Sequence, residues 1–352
     1  MSAPTRSRRR PGGLRRSQRL AKAAGYALLI GLSALYLLPF LWSISTSLKT
    51  GDTVYDFPPD LIPRERVILQ RHGRRARLGE RLAKDGKPLE RVAILDSKPG
   101  RYVIEPLDGG PAVEVPIEEV RFVKQVRLRW GNYRDAWTAE PFNRFLLNTL
   151  IITLACIIGQ VFSASLVGFG FSRLHFPGRN ALFFVMLATL MLPGQVTMIP
   201  VYLIYRSLGW IDTFLPLTVP AFLGGGPFFI FLFRQFFMTL PRELDEAARV
   251  DGCSAFRIYW NVLMPLCKPV VATIAVFSFI AHWNEFLAPL IYLNSPEKQT
   301  LALGLRTFQG TFVTQLHLLM AASLVVLLPI LVIFFLAQKQ FIKGVALSGI
   351  KG

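Results

Sequence analysis

Glu246-Ala247-Ala248, Gly252 and Val262-Leu263-Met264-Pro265 stand within twenty residues of one another, between two long apolar stretches. Their chemistry is that of docking. Leu240-Pro241 suits the first turn of a helix, and Glu243, Asp245 and Glu246 place negative charge near the positive end of its dipole. Leu244, Ala247 and Ala248 follow an i, i+3, i+4 spacing and share one face, which two small residues keep shallow enough for another helix to approach. Gly252 permits a sharp turn, Ala255 to Val262 form a second helix, and Pro265 and Pro269 punctuate its end.

Groups for making and breaking bonds are sparse. A phosphate-binding loop ends in Gly-Lys-Ser/Thr; the nearest approach, Gly86-Lys87, is followed by Pro88 and lacks the upstream glycine spacing. His72, His175, His282 and His317 are too scattered for a zinc motif, and Cys156, Cys253 and Cys267 fit neither a metal site nor a disulfide framework. No metal, no bound cofactor and no enzymatic activity are expected of this chain.

Elements to position the docking segment follow from hydropathy. A mean hydropathy of +0.41 with 18% charged residues is wrong for a soluble domain and right for a polytopic membrane protein. No charge occurs between Lys22 and Lys49, Arg144 and Arg173, Arg179 and Arg206, or Asp212 and Arg234. Each interval holds the roughly 20 residues that cross about 30 Å of hydrocarbon. A fifth stretch runs from Pro269 to Pro296, interrupted by His282 and Glu285, and a sixth from Thr307 to Gln338, interrupted by His317. The expected fold is an all-α polytopic membrane protein of six transmembrane helices.

Arg6, Arg8, Arg9, Arg10, Arg15, Arg16, Arg19 and Lys22, with no acid among the first 24 residues, hold the start of the chain in the cytoplasm. With six spans both termini are cytoplasmic. Arg173 and Arg179, the basic residues from Arg234 to Lys268, and Lys339, Lys343 and Lys351 agree with that orientation. The basic segment from Lys49 to Arg144 opposes it, but loops longer than about 60 residues translocate regardless of charge. Beside a span, the Arg-rich tail reads as a topology determinant touching anionic lipid, and no nucleic acid partner is expected. The apolar part is too long for a signal h-region and lacks a cleavage pattern, so it reads as an uncleaved anchor.

The segments are a basic tail at 1–24, a first transmembrane helix at 25–48, an extracytoplasmic loop at 49–143, a core of five helices at 144–338 containing the docking segment 240–269, and a tail at 339–352. Within the loop, a charged stretch of helical composition runs through Leu89. Short alternating runs follow at Val92–Leu95, Tyr102–Ile104, Val113–Val115 and Val120–Phe122, separated by Lys98-Pro99-Gly100 and Asp108-Gly109-Gly110-Pro111. A small β-rich insert at about 63–130 is predicted, as a stabilising unit or as a contact surface for an extracytoplasmic partner.

Glu-Ala-Ala, three residues, Gly, nine residues, then Ile-x-Leu-Pro resembles the signature of the permease subunits of bacterial ATP-binding-cassette importers. Val262 and Met264 stand here where that signature has isoleucine and leucine, which preserves apolar packing. The flanks resemble the maltose-transporter-type carbohydrate permeases: Arg234-Gln235-Phe236-Phe237, Trp283-Asn284-Glu285-Phe286, Phe169-Gly170-Phe171-Ser172-Arg173, Phe176-Pro177-Gly178-Arg179, and Gly344 to Gly352. The resemblance covers about residues 25–60 and 131–352 and leaves out the insert and the basic tail. It implies a bacterial inner (cytoplasmic) membrane location and coupling of Glu246, Ala247, Ala248, Gly252 and Pro265 to a separate ATPase that uses ATP. A second homologous permease, an extracytoplasmic solute-binding protein and a sugar or polyol substrate are implied with it.

Glu285 is the single acid inside a predicted span, a functional candidate by default. Sixteen residues from Pro269 at about 1.5 Å each place it roughly 24 Å in, towards the outer interface. Trp283 and Asn284 beside it offer a stacking face and hydrogen bonds on a translocation path, or an interfacial anchor and a structural cap. Pro193-Gly194, Pro200 and Gly224-Gly225-Gly226-Pro227 break the third and fourth spans, for alternating access or for packing, and place those helices inside the bundle. A secondary transporter or channel, the alternative function, is expected to carry coupling carboxylates or paired charges in several spans, and this chain has nearly none.

Overall fold

The computed structural model describes residues 12–83, 85–310 and 314–349, with side chains at 18–83, 85–310 and 314–338. The expectations resting on Arg6, Arg8, Arg9, Arg10 and residues 350–352 lie outside the described residues, as do the side chains of Arg15, Arg16, Lys339 and Lys343. The chain divides into two compact units, residues 1–132 with 316–321, and residues 133–315 with 322–352.

The first unit opens with α1 (Gly12–Ser47), which starts well before residue 25 because the intervening arginines, lysine and alanines are themselves good helix formers. Its end is capped by the buried Asn132, whose Nδ2 donates to the carbonyls of Ser47 and Lys49 at 2.7 Å each. Then β1 (Arg64–Arg66) pairs with β8 (Lys124–Val126). A six-stranded antiparallel sheet takes the order β2 (Ile68–Arg71), β3 (Arg74–Leu82), β4 (Pro88–Lys98), β5 (Arg101–Pro106) and β6 (Val113–Pro116), with β7 (Val120–Phe122) also on β3.

The charged stretch before Leu89 is therefore strand, not helix. Two consecutive left-handed residues, His72 at φ 50° and Gly73 at φ 73°, form a primed hairpin turn, and Ala76 and Leu78 alternate into the interior along β3. Val92, Ile94, Ile104, Val115 and Val120 form the core of the sheet. A Cβ at Gly79 would stand 2.8 Å from Ile94 Cδ1, so glycine is what lets the core close there.

The second unit is helical. In chain order it contains α2 (Gly131–Ala139, which straddles the boundary), α3 (Phe142–Arg173), α4 (Arg179–Ala188), α5 (Gly194–Ser207), α6 (Leu215–Gly224) and α7 (Pro227–Thr239). There follow α8 (Glu243–Val250), α9 (Ala255–Arg257), α10 (Met264–Leu266), α11 (Lys268–Trp283), α12 (Leu287–Tyr292), α13 (Leu301–Gly304) and α14 (Leu316–Gly349), whose first turns belong to the other unit.

Among the described residues four stretches are long and apolar enough to cross a membrane: Gln18–Ser47, Phe142–Arg173, Leu215–Thr239 and Leu316–Gln338. Two further pairs reach that length only together, Arg179–Met191 with Gly194–Ser207, bent by 98°, and Ala255–Leu266 with Lys268–Trp283, bent by 79°. Pro193 makes the first bend, since the residue before a proline is driven out of the helical region; Leu192 is extended at ψ 116°. No residue of α5 is buried in this chain, which corrects the expectation that its breakers place it inside the bundle.

α3 is the spine of the unit, packed against α6, α7 and α11. Two glycines bring it close to its neighbours: a Cβ at Gly159 would stand 2.7 Å from the Phe222 ring, and one at Gly168 2.7 Å from Phe233 Cβ. Where α6 breaks at Gly225 (φ 59°) and Gly226 (φ 79°), the hydroxyl of Ser163 donates to the Ala221 carbonyl at 2.7 Å. That bond satisfies a backbone group the broken helix leaves open.

Candidate functional site

α8 carries Glu243, Asp245 and Glu246 in its first turn, as a helix start favours. Asp245 and Ala248 point inward, Leu244 is half-buried, and Glu243, Glu246, Ala247 and Val250 are exposed, Val250 to 88%. The face expected from Leu244, Ala247 and Ala248 together is thus divided. Ala248 packs into a core containing Phe237, Ile258, Tyr259 and Leu263, whereas Ala247 lies outside with Glu246. Glu243, Glu246, Ala247 and Val250 recur at i, i+3, i+4 and i+7 and share one exposed face, with Arg249 exposed beside it.

The orientation of α8 is set from beneath. Arg173, the last residue of α3, stands 3.4 Å from the Asp245 carboxylate, their side chains 4% and 11% exposed. Its Nη2 donates to the carbonyls of Phe237 at 2.7 Å and Leu240 at 2.9 Å, which close α7. One guanidinium therefore holds the ends of α3 and α7 and the start of α8 together.

After α8 the chain turns at Gly252, whose φ of 79° costs an L residue about 1–2 kcal/mol. The Cys253 N–H donates back to the Ala248 carbonyl at 2.9 Å, and Ser254 Oγ caps α9 by accepting the Arg257 N–H at 3.3 Å. The second helix expected at 255–262 is α9 followed by a π-helical turn, Ile258–Leu263, and α10. Pro265 is exposed within α10, just ahead of the bend into α11. The π turn seats Tyr259, fully buried, with its hydroxyl 2.7 Å from Ser165 Oγ on α3.

The three residues at the end of α11 part company. Trp283 is 1% exposed, stacks on Phe279 with ring centroids 5.0 Å apart, and donates its indole N–H to the Val326 carbonyl at 3.0 Å. It offers no open stacking face. Asn284 is exposed and donates to the Ile280 carbonyl at 2.8 Å, closing α11. Glu285 Oε1 accepts the Ala288 N–H at 3.0 Å at the start of α12. Its side chain also borders a cavity of about 240 Å³ lined by Gln195, Thr197, Met198 and Tyr292, and a second of about 150 Å³ lined by Thr149, His282 and Thr300.

Residues that pattern reading left aside hold the loops at the far end of α5 and α12. Asp212 Oδ1 accepts the N–H groups of Asn294 and Ser295 at 2.9 Å each, Oδ2 accepts the Ser295 hydroxyl at 2.5 Å, and Lys298 pairs with the same carboxylate at 3.1 Å. The Ser295 hydroxyl above all, then the two backbone N–H groups, hold this carboxyl well below the usual range. Neither Asp212 nor the Arg173–Asp245 pair has a local signal, because each joins segments distant in sequence. Among the described residues no three His, Cys, Asp or Glu side chains gather as a metal site.

Long apolar helices carry an exposed polar helix at a glycine turn, and residues 160–346 match the family described as "Binding-protein-dependent transport system inner membrane component". The chain belongs to that family. It is 37% identical over 223 residues to the sn-glycerol-3-phosphate transport system permease protein UgpE of Pectobacterium atrosepticum, covering 61% of this chain and 79% of the relative. To the arabinooligosaccharides transport system permease protein AraQ of Bacillus subtilis it is 34% identical over 209 residues, covering 59% of this chain and 74% of the relative. The fold is similar to that in the crystal structure of a bacterial ABC transporter involved in the import of the acidic polysaccharide alginate. There the TM-score is 0.63 at 20% identity, over 96% of this chain and 99% of that one.

Proposed function

We propose that this chain is the permease subunit of an ATP-binding-cassette importer that moves a sugar, polyol or related solute across the bacterial cytoplasmic membrane. The observation that carries the reading is the exposed acidic and small-residue face of α8, held by a core that reaches α3, α7 and α11. Glu246 and Ala247 contact the ATPase; Ala248, Gly252 and Pro265 fix the helix and its two bends. ATP is bound and hydrolysed by that partner, and this chain contributes neither cofactor nor catalysis.

The topology that goes with it counts each bent pair as one span, giving six, with both termini cytoplasmic. The tail 1–24, helix 25–48, extracytoplasmic loop 49–143 with its insert at about 63–130, core 144–338 with coupling segment 240–269, and tail 339–352 are its segments. A second permease lies against the apolar faces that α4 and α5 leave exposed, and a solute-binding protein delivers from outside. Support for the solute class comes from the named solutes of UgpE and AraQ and from the cavities beside Glu285. Asn284 and Glu285 face the path at the outer end of α11, with Trp283 as their buried support.

The test is purification of the tagged chain from its native membrane in mild detergent. An ATPase bearing a phosphate-binding loop, together with a second permease, is the expected company. Recovery of the folded chain without any ATPase sinks the proposal.

A further inference from the structure

Arg173 and Asp245 meet where the ends of α3 and α7 join the start of α8. Both are buried, 3.4 Å apart, yet Asp245 Oδ1 and Arg173 Nε have no hydrogen-bond partner among the described residues. Burying two charges costs several kcal/mol per ion before their attraction is counted, and an apolar pair of similar volume is often as stable or more so. Stability alone does not account for such a contact, and a static strut gains from closing into the bidentate geometry that arginine and carboxylate favour.

Arg173 ends the helix that forms the spine of the second unit, and it already spends Nη2 on the two carbonyls that close α7. Asp245 lies on the inner side of α8, directly behind the exposed face. A second polar tie, Ser165 to Tyr259, joins α3 to the π turn beyond Gly252. Both ties to α3 thus come from the segment that carries the exposed face, and Gly168 between them puts α3 against the backbone of α7.

We propose that Arg173 and Asp245 are positioning residues forming a clasp that makes α3 follow α8. When a partner displaces α8, the carboxylate carries the guanidinium with it, and Arg173 draws the ends of α3 and α7 along. The open hydrogen-bonding capacity on both sides lets the pair tighten as α8 moves inward without breaking. This inference rests on the proposed function only for the identity of the partner that moves α8; the clasp itself is a property of this chain.

The test uses the complex purified from its native membrane, with Cys253 replaced by Ser and spin labels at Arg249→Cys on α8 and Ile158→Cys on α3, both exposed and neither on the face proposed for the ATPase. At rest the unmodified pair gives one narrow distance distribution, and Arg173→Gln and Asp245→Asn each broaden it. The double substitution broadens it no further, because the two side chains act as one unit. Arg173→Lys, which keeps charge and one donor, restores part of the narrowing. With ATP and vanadate, the 158–249 distance holds in the unmodified chain and shifts by more than about 2 Å, the scale of helix shifts, in either single variant.

Distributions at rest that match the unmodified chain overturn the clasp whether or not an ATPase copurifies, as do additive effects in the double variant. Failure to recover an ATPase with the unmodified chain overturns the proposed function and leaves the resting measurement to decide the clasp. Should Arg173→Gln not accumulate in the membrane, Asp245→Asn, nearly isosteric and bound to no helix carbonyl, carries the same test.

Discussion

Gly168 on α3 and Phe233 on α7 lie so close that a Cβ on the first would stand 2.7 Å from the Cβ of the second, with the Arg234 nitrogen at 3.1 Å. Two residues along the same helix, a Cβ at Gly170 would meet nothing within 4 Å. Gly168→Ala and Gly170→Ala should therefore differ in sign. The first forces two packed helices apart and destabilises by about 1–3 kcal/mol, while the second removes backbone freedom from the unfolded chain and stabilises by roughly 0.5–1 kcal/mol. Thermal unfolding of the two variants in the same detergent measures the difference.

Trp283→Phe keeps a ring against Phe279 but removes the N–H that reaches the Val326 carbonyl. Losing that hydrogen bond costs about 0.5–1.5 kcal/mol, and Trp283→Ala, which adds a cavity, costs about 3–5 kcal/mol. Both losses belong in the melting temperature. Solute uptake per folded molecule by Trp283→Phe should match the unmodified chain, and a selective loss of affinity would return Trp283 to the solute path.

Asp212 gives the loops at its end of the second unit a pH dependence of definite sign. Its carboxyl is held below the ordinary 3.8 by Ser295, Asn294 and Lys298, so the folded state favours the ionised form. That contribution is fully present above pH 3.8 and is lost as the pH falls from there through the depressed folded value. Asp212→Asn should remove this part of the acid sensitivity, read as a smaller drop in melting temperature between pH 5 and the lowest pH the detergent complex tolerates. An unchanged acid profile would assign the sensitivity to other carboxylates.

Local signals and long-range contacts divide what the sequence discloses here. The long apolar helices, the turn at Gly252 and the strands from Val92 to Phe122 are legible because apolar run length, glycine and period-two alternation act on neighbours along the chain. β1 to β3 are not, since arginine, leucine and glutamate suit a helix as well as a strand; the turn at His72-Gly73 decides between them. The division of the α8 face was hidden for another reason. Leu244, Ala247 and Ala248 alone suggest one apolar stripe, and only the buried Arg173 explains why Asp245 turns inward and Ala247 outward. Trp283 likewise reads as an anchor until α14 supplies the Val326 carbonyl.

Glu246→Lys reverses a charge on the exposed face of α8 without touching its core, whereas Gly252→Pro imposes a φ near −65° where the turn needs 79°. Both should abolish solute uptake and leave membrane insertion intact, by different routes. Glu246→Lys releases the ATPase from an otherwise normal chain, and Gly252→Pro disorders α8 itself. Copurification of the ATPase and limited proteolysis between Glu243 and Ser254 separate the two. Wild-type uptake by either variant at normal expression removes the coupling role.

Glu285 both accepts a bond at the start of α12 and borders two cavities, and one substitution can separate these. Oε1 accepts the Ala288 N–H and so starts α12, a task that the amide oxygen of Glu285→Gln performs equally well. The charge is what that substitution removes, from the rim of both cavities. A carboxylate there presents only acceptors, which suits the hydroxyl groups of a neutral polyol and opposes an anion. Glu285→Gln should thus keep its melting temperature and its copurifying ATPase, lose about tenfold in the uptake of a neutral solute through roughly 1.4 kcal/mol of lost binding, and show no such loss for an anionic one. Glu285→Ala, which also strips the cap from α12, should add a fall in stability of about 1 kcal/mol. Wild-type uptake by Glu285→Gln combined with a lower melting temperature for Glu285→Ala would leave Glu285 as a cap alone.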